Sequence, residues 1–189
     1  MTAIDRETAE RLIAGRLSAK RREHAHRVAA EAVDLARRYG ADPAAAEIAG
    51  LLHDYCRELT EAETLAAAER YGIPVGPVEA SRPKHILHGP VAAAELSAAG
   101  LDRSIARAIA LHTVGGPGMS VLEKCVYLAD YDEPGRDFPG VDEVRALARA
   151  SLDDAVAEAA RLTLLDIIGR GRGVVPSALA LYNESHAGT

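Results

Sequence analysis

Tryptophan is absent from the 189 residues, phenylalanine occurs once and cysteine twice. Aromatic residues make up 4 % of the chain, so platforms for stacking bases along a nucleic-acid strand are scarce. Cys56 and Cys125 are too few for a disulfide framework, and no Cys-x-x-Cys pair points to a zinc knuckle or redox motif. Positive charge is not in excess either. The net charge of −6 argues against a broad nucleic-acid surface, which needs a basic face for phosphates. The densest basic run, Lys20-Arg21-Arg22, reads as a solvated helix face. No apolar run approaches the length of a membrane-spanning helix. The opening MTAIDRETAERLIAGRL is charged throughout and has no signal-peptide apolar core. The expectation is a cytoplasmic protein with neither membrane nor nucleic acid as partner. What is present is ordinary for a globular chain: 48 % hydrophobic and 26 % charged residues, at a length that suits one domain with a real core.

Almost every local signal is helical. A helix runs from Ser18 to a stop at Gly40. Asp42-Pro43 reads as an N-cap followed by proline at the first helical position, opening a helix over 43–55. Thr60 with Glu63 and Ser120 with Glu123 are capping-box patterns, and Gly72 closes the first of these helices. A further helix begins near Pro90 and ends at Gly100, and Asp102 caps the next. Residues 141–169 supply one long helix or two, and 176–184 a last short one. No stretch alternates with period two, so a sheet is not expected. There is no internal repeat, low-complexity tract or linker. The reading is one all-α domain over residues 1–189, with its motifs in residues 18–183.

Seven histidines occur, and helix faces sort them. His24, Val28, Ala32 and Leu35 form one inward stripe, whereas His26 falls about 200° further round and should face solvent. In AGLLHDYCRE, residues 49–58, Ile48, Leu51, Leu52 and Tyr55 share one face. His53 and Asp54 point to another, lined by Ala46, Ala49 and Gly50, which should leave room beside them. An aspartate entering a core needs a partner or a metal. A buried His–Asp hydrogen bond that ties down a helix end is the plainer alternative. His88 precedes a helix, His112 ends one, and Asp130 ends the next. Together His24, His53, Asp54, His88, His112 and Asp130 are four imidazoles and two carboxylates without a thiolate. That set suits a divalent ion such as iron or manganese better than a structural zinc. With Asp54 bridging, six ligands suffice for two ions.

The order of motifs REHAHRVA, AGLLHDYCRE, LHGPVAA, LHTVGGPGMSVLEKCVYLADYDEPGR, FPGVDEVR and VVPSALALYN resembles the HD-domain metal-dependent phosphohydrolases. Within them it is similar to the bacterial branch of symmetrical diadenosine tetraphosphatases. The resemblance implies a single-domain helical bundle that cleaves dinucleoside polyphosphates, diadenosine tetraphosphate above all, into two ADP. It implies two divalent ions, iron first, held by the same six residues, with Asp54 at the catalytic centre. Arg21, Arg57 and Arg136 match its nucleotide-contacting positions, with Lys124 a weaker candidate. Arg57 stands where the family usually has lysine, and Ala25 where it has Ser or Thr. His85 matches no ligand position. The backbone of TVGGPGM, residues 113–119, is a candidate phosphate cradle or a plain helix–helix turn. Tyr131 and Phe138 are candidate stacking groups, with core packing the stronger expectation. A homodimer is compatible with the chain. The rival readings are an HD-type enzyme for another nucleotide and a non-catalytic metal- or nucleotide-binding helical protein.

Overall fold

The computed structural model describes residues 4–187. Twelve helices and no strand occur among them: α1 (Arg6–Arg16), α2 (Ala19–Tyr39), α3 (Pro43–Leu52), α4 (Glu61–Arg70), α5 (Pro77–Ser81), α6 (Pro83–Ile86), α7 (His88–Ala98), α8 (Arg103–Leu111), α9 (Val121–Asp132), α10 (Val141–Ala150), α11 (Leu152–Gly169) and α12 (Pro176–Ser185). No helix is long and apolar enough to cross a membrane. The caps form as their chemistry dictates. Asp42 accepts from Ala44 N–H, and both Thr60/Glu63 and Ser120/Glu123 close reciprocal capping boxes. Gly40 ends α2 in the left-handed conformation.

The segment 141–169 resolves into two helices, because Ser151 is extended and its side chain caps α11 through Asp154 N–H. α1, capped by Asp5 on Thr8 N–H, is an element the sequence reading did not assign. α3 is shorter than expected. It ends at Leu52, and the chain tightens through hydrogen bonds from Tyr55 to Leu52, Arg57 to Asp54 and Leu59 to Cys56. These i→i+3 bonds belong to a tighter helix than α. α7 starts at His88, two residues earlier than Pro90 suggests, because the short α6 delivers the chain to it through Leu87.

The centre is built by α2, α3, α8 and α9, whose Val28, Leu35, Leu51, Leu52, Ile109, Val126 and Leu128 are fully enclosed. Burying each such side chain contributes about 1.5–3 kcal/mol. Two glycines set the spacing. A Cβ on Gly50 would lie 2.5 Å from Ala29 Cα, so α3 packs its small face directly against α2. The small residues therefore serve helix contact, and the space expected beside His53 is taken by α2. A Cβ on Gly89 would lie 2.8 Å from the Ile109 carbonyl and 3.1 Å from the His112 ring. Its absence lets α7 bring His88 beside the end of α8.

Candidate metal centre

Four helix ends and one helix interior converge on a buried point. His24 comes from the middle of α2, His53 and Asp54 from the tightened turn after α3, His88 from the start of α7, His112 from the end of α8, and Asp130 from the last turn of α9. The imidazoles form two pairs. His24 Nε2 lies 3.3 Å from His53 Nε2, and His88 Nε2 lies 3.0 Å from His112 Nε2. Asp54 stands between the pairs. Its Oδ2 faces His53 at 3.4 Å and His24 at 3.8 Å, while its Oδ1 faces His88 at 3.2 Å and His112 at 4.0 Å. Asp130 Oδ1 is 3.0 Å from His24 Nε2 and 3.8 Å from His53 Nε2.

The outer nitrogens decide what the inner ones are. His53 Nδ1 meets the Gly50 carbonyl at 2.7 Å, and His112 Nδ1 meets the Ile109 carbonyl at 2.7 Å. A carbonyl only accepts, so each Nδ1 donates and each neutral ring turns a bare Nε2 lone pair inward. His24 Nδ1 likewise donates to Glu133 Oε1 at 3.1 Å. Three lone pairs and two carboxylates thus point at one another in a buried site, an arrangement that a cation resolves. His88 differs, since its buried Nδ1 has no hydrogen-bond partner. Two sets of donor atoms, His24/His53/Asp130 and His53/Asp54/His112, each fall within 4.8 Å of one another and could hold a metal ion. The donors, imidazole and carboxylate without thiolate, fit a divalent transition ion.

The electrostatics differ between the imidazoles. Burial opposes charge on His53, but Asp54 and then Asp130 outweigh it and raise its pKa. Burial also opposes charge on Asp54, yet the adjoining His53 and His88 hold its carboxyl well below the usual range. His112 goes the other way. Burial, together with His53 and His88, pushes it down to about 3, so at neutral pH it is an uncharged ligand-type imidazole.

The three arginines border this cluster. Arg21 Nη1 donates to Asp54 Oδ2 at 2.8 Å. Arg136 donates from Nη2 to Asp130 Oδ1 and from Nε to the Asp130 carbonyl at 2.9 Å. Arg57 donates to the Lys84 carbonyl at 3.1 Å, and its Nε is 3.8 Å from Asp54 Oδ1. A cavity of about 580 Å³ opens on the same point, with His112, Asp130, Arg136, Tyr131, Phe138 and Asp166 in its wall. Tyr131 and Phe138 meet edge to face there, 5.1 Å apart, as half-buried wall groups. Tyr131 also packs against the main core, in keeping with the expected packing role.

Other candidates lie elsewhere. His26 is half exposed on the far face of α2, 3.5 Å from Glu10. Lys124 pairs with Asp153 at 2.6 Å and borders a different hollow. The glycine-rich turn is a packing device. Gly118 N–H donates to the Glu184 carboxylate at 2.8 Å, and a Cβ on Gly115 would strike Leu181 at 2.3 Å. These two glycines are committed to α12, in keeping with the helix–helix turn reading. Two groups escaped the sequence reading. Glu133, fully buried, accepts from His24 Nδ1, from Arg27 Nε at 2.6 Å and from Gly135 N–H at 2.6 Å. Thr113 Oγ1 sits 2.9 Å from His112 Nε2. The DEPG turn that carries Glu133 was visible as an irregular stretch, but nothing local linked it to His24, 109 residues away.

The HD domain family model matches residues 21–135. The chain is similar to proteins named symmetrical bis(5'-nucleosyl)-tetraphosphatase. The one from Bacillus subtilis is 36 % identical over 133 residues, covering 69 % of this chain and 70 % of that protein. The one from Staphylococcus aureus is 39 % identical over 137 residues, 70 % and 66 % of the two chains. The one from Halalkalibacterium halodurans is 41 % identical over 83 residues, 44 % of each. The crystal structure of a predicted HD superfamily hydrolase involved in NAD metabolism from Clostridium acetobutylicum superposes with a TM-score of 0.90 at 31 % identity, over 97 % of each chain.

Proposed function

The chain belongs to the HD-domain family, and from that premise we propose that it hydrolyses dinucleoside polyphosphates, splitting diadenosine tetraphosphate and water into two ADP. The observation that carries the reading is the union of an imidazole–carboxylate cluster with a cavity walled by Arg136, Tyr131 and Phe138. Such a cavity offers a guanidinium for phosphate and ring faces for a base beside the reacting centre.

We assign His24, His53, Asp54, His88, His112 and Asp130 as metal ligands. Together they would hold two ions, iron first, with the single free lone pair of His53 serving one of the two donor sets in which it occurs. A bound divalent ion supplies Lewis acidity and a water acidic enough to ionise near neutral pH. Asp54, whose two oxygens face the two imidazole pairs, would stand between the two ions as the catalytic carboxylate. Arg21 and Arg136 now neutralise Asp54 and Asp130, and an arriving phosphate chain would compete for both guanidinium groups. Arg57, buried at its stem and tipped toward the same carboxylate, is the third cation. Their charges offset the repulsion between an anionic substrate and an acidic protein. Cytoplasmic residence accords with two buried free thiols. A homodimer accords with Leu165 and Ile168 on α11 and Leu179 on α12, which are exposed.

The test is anaerobic purification with iron, addition of diadenosine tetraphosphate and separation of products by ion exchange, with Asp54→Ala alongside. Wild type should yield ADP alone, and the variant should lose both turnover and metal while keeping its fold. ATP plus AMP would overturn the assigned bond. Full activity in the variant would overturn the assignment of Asp54.

A further inference from the structure

α9 ends against its own dipole. Its last turn and cap carry Asp130, Asp132 and Glu133, with no basic residue in that turn. Carboxylates are disfavoured at a helix C-terminus, and the last carbonyls there lack partners within the helix. Two arginines from later in the chain supply both charge and donors. Arg136 donates from Nε to the Asp130 carbonyl at 2.9 Å. Arg145, half-buried in the second turn of α10, serves the carbonyls beyond it. Its Nε donates to the Asp132 carbonyl at 2.9 Å, and its Nη2 donates to the Glu133 carbonyl at 2.9 Å and the Arg136 carbonyl at 2.7 Å.

The segment so held is a β-turn. Arg136 N–H donates to the Glu133 carbonyl at 2.8 Å, with Pro134 and Gly135 at the centre, residue types that favour such turns. Packing requires the glycine, since a Cβ on Gly135 would lie 2.8 Å from Arg27 Nε and 2.9 Å from Glu133 Oε2. The first and last residues of the turn both reach the metal centre. Glu133 accepts from His24 Nδ1 at 3.1 Å, and Arg136 donates to Asp130 Oδ1. His24 and Asp130 belong, with His53, to one donor set. Arg145 therefore stands behind both supports of that set. Its pair with Asp142 at 2.7 Å does not explain its place, because that carboxylate is 91 % exposed and surface pairs contribute little. Three charge-assisted bonds to carbonyls contribute more.

We infer that Arg145 is a positioning residue for the reaction. By closing the turn over 133–136 it fixes Glu133 behind His24 and Arg136 against Asp130, and with them the ion that this donor set would hold. The inference rests on the hydrolase reading for the reaction it serves. The clamp on the turn is a property of the protein alone and can be measured without substrate or metal.

The experiment compares Arg145→Gln with Arg149→Gln. Arg149 leaves the same helix one turn later and pairs with Glu31 on α2 at 3.0 Å, so its loss weakens the docking of α10 without touching the turn. In calorimetric titrations of manganese(II) into metal-free protein, Arg145→Gln should bind at least one ion about tenfold more weakly than wild type. Arg149→Gln should bind as wild type does. Should Arg145→Gln not fold, Arg145→Lys, which keeps the charge but cannot span three carbonyls, carries the same comparison. Unchanged affinity in the Arg145 variant overturns the inference. So does an equal loss in Arg149→Gln, which would assign the effect to the docking of α10 as a whole. If wild type takes up no manganese, the metal reading falls, and hydrogen exchange at the Arg136 amide decides the clamp by itself. Faster exchange in Arg145→Gln than in wild type and Arg149→Gln would keep it, and equal exchange in all three would overturn it. Product analysis with diadenosine tetraphosphate decides the hydrolase reading separately. Weakened manganese binding in a protein that cleaves no dinucleoside polyphosphate would keep the positioning role of Arg145 and remove the reaction.

Discussion

Asp130 and Asp132 leave the same last turn of α9, the first half-buried at the cavity wall and the second buried, and their electrostatics are opposite. Asp130 faces His24, 3.0 Å away, and the guanidinium of Arg136. Burial opposes its charge, but those partners and His53 outweigh burial and hold its carboxyl far below the ordinary range. Asp132 turns the other way, toward Glu31 on α2. It is 2 % exposed and neither side-chain oxygen has a hydrogen-bond partner. Burial, with the Glu31 charge added, raises its pKa to about 7 against the opposing pull of Arg149, which pairs with Glu31, and Arg145, which donates to the Asp132 carbonyl. Burial therefore does not by itself make a functional carboxylate. What separates the two is the set of cationic donors that α2 and the loop after α9 bring to one side of the helix only.

The sharpest way to break that contrast is to neutralise each carboxylate in turn. Asp130→Asn removes an anionic donor of the proposed metal centre, and turnover should fall roughly 100-fold or more with a parallel loss of bound metal. Asp132→Asn should leave both turnover and metal content within about twofold, because its side chain touches none of the proposed ligands. Metal analysis and initial rates on the two proteins decide it. A comparable loss in both would mean that the C-terminal turn of α9 acts as one unit.

A smaller effect belongs to Glu133, which backs the same side of the contrast. It holds His24 Nδ1 while Arg27 and Gly135 hold it, so it is a positioning residue that fixes the His24 tautomer. Glu133→Gln keeps an acceptor and loses the charge. Metal affinity should drop about 10-fold to 100-fold, and added metal should restore activity that a misfolded variant would not recover. An unchanged metal titration would leave Glu133 a purely structural group.

How much of this could be seen in the chain itself depends on range. The His24 stripe, the outward His26, the two capping boxes and the all-α class are set within one or two turns, and the structure agrees with each. The six proposed ligands do come together, although the argument from faces could say only that each looked inward. Local spacing failed where distant backbone decides the outcome. Gly50 looked like room for a ligand because its contact with Ala29 is 21 positions away along the chain. The turn after Leu52 defeated a straight-helix projection of His53 and Asp54. Glu133 and Thr113 have no periodic signature.

Asp132 also gives the comparison a pH axis. Its folded pKa of about 7 lies above the 3.8 of an ordinary aspartyl. Between those values the native protein keeps a proton that the unfolded chain has lost, so this group lowers stability as pH rises from about 4 to about 7. Asp132→Asn abolishes that loss. Its gain over wild type in urea unfolding should be small near pH 4.5 and reach about 1–3 kcal/mol at pH 8, the range for a buried group without partners. A gain of the same size at both pH values would show that the carboxylate is not ionised at neutral pH or is compensated by a group unseen here.

The smallest effect is expected from Cys125, a third titratable group on α9, and it completes the comparison. Like Asp132 it is buried without an ionic partner, and burial pushes its thiol up to about 12. The direction is the same but the consequence differs, because a thiol's neutral form is the one already present at physiological pH. Its folded value lies above the unfolded value near 9, so it takes stability away only as pH climbs from about 9 toward 12. Cys56, also raised to about 12 by burial first and then by Glu95, adds to the same window. Between pH 7 and 9 neither α9 group changes its contribution, and wild-type stability from these three residues should be flat there. The same burial keeps both thiols un-ionised and enclosed at pH 8, so a thiol-specific reagent should label neither in the native protein and both on unfolding. Rapid native labelling of Cys125 would show that the face of α9 away from the metal centre opens on its own, and that the unpaired Asp132 sits in a wetter place than its geometry implies.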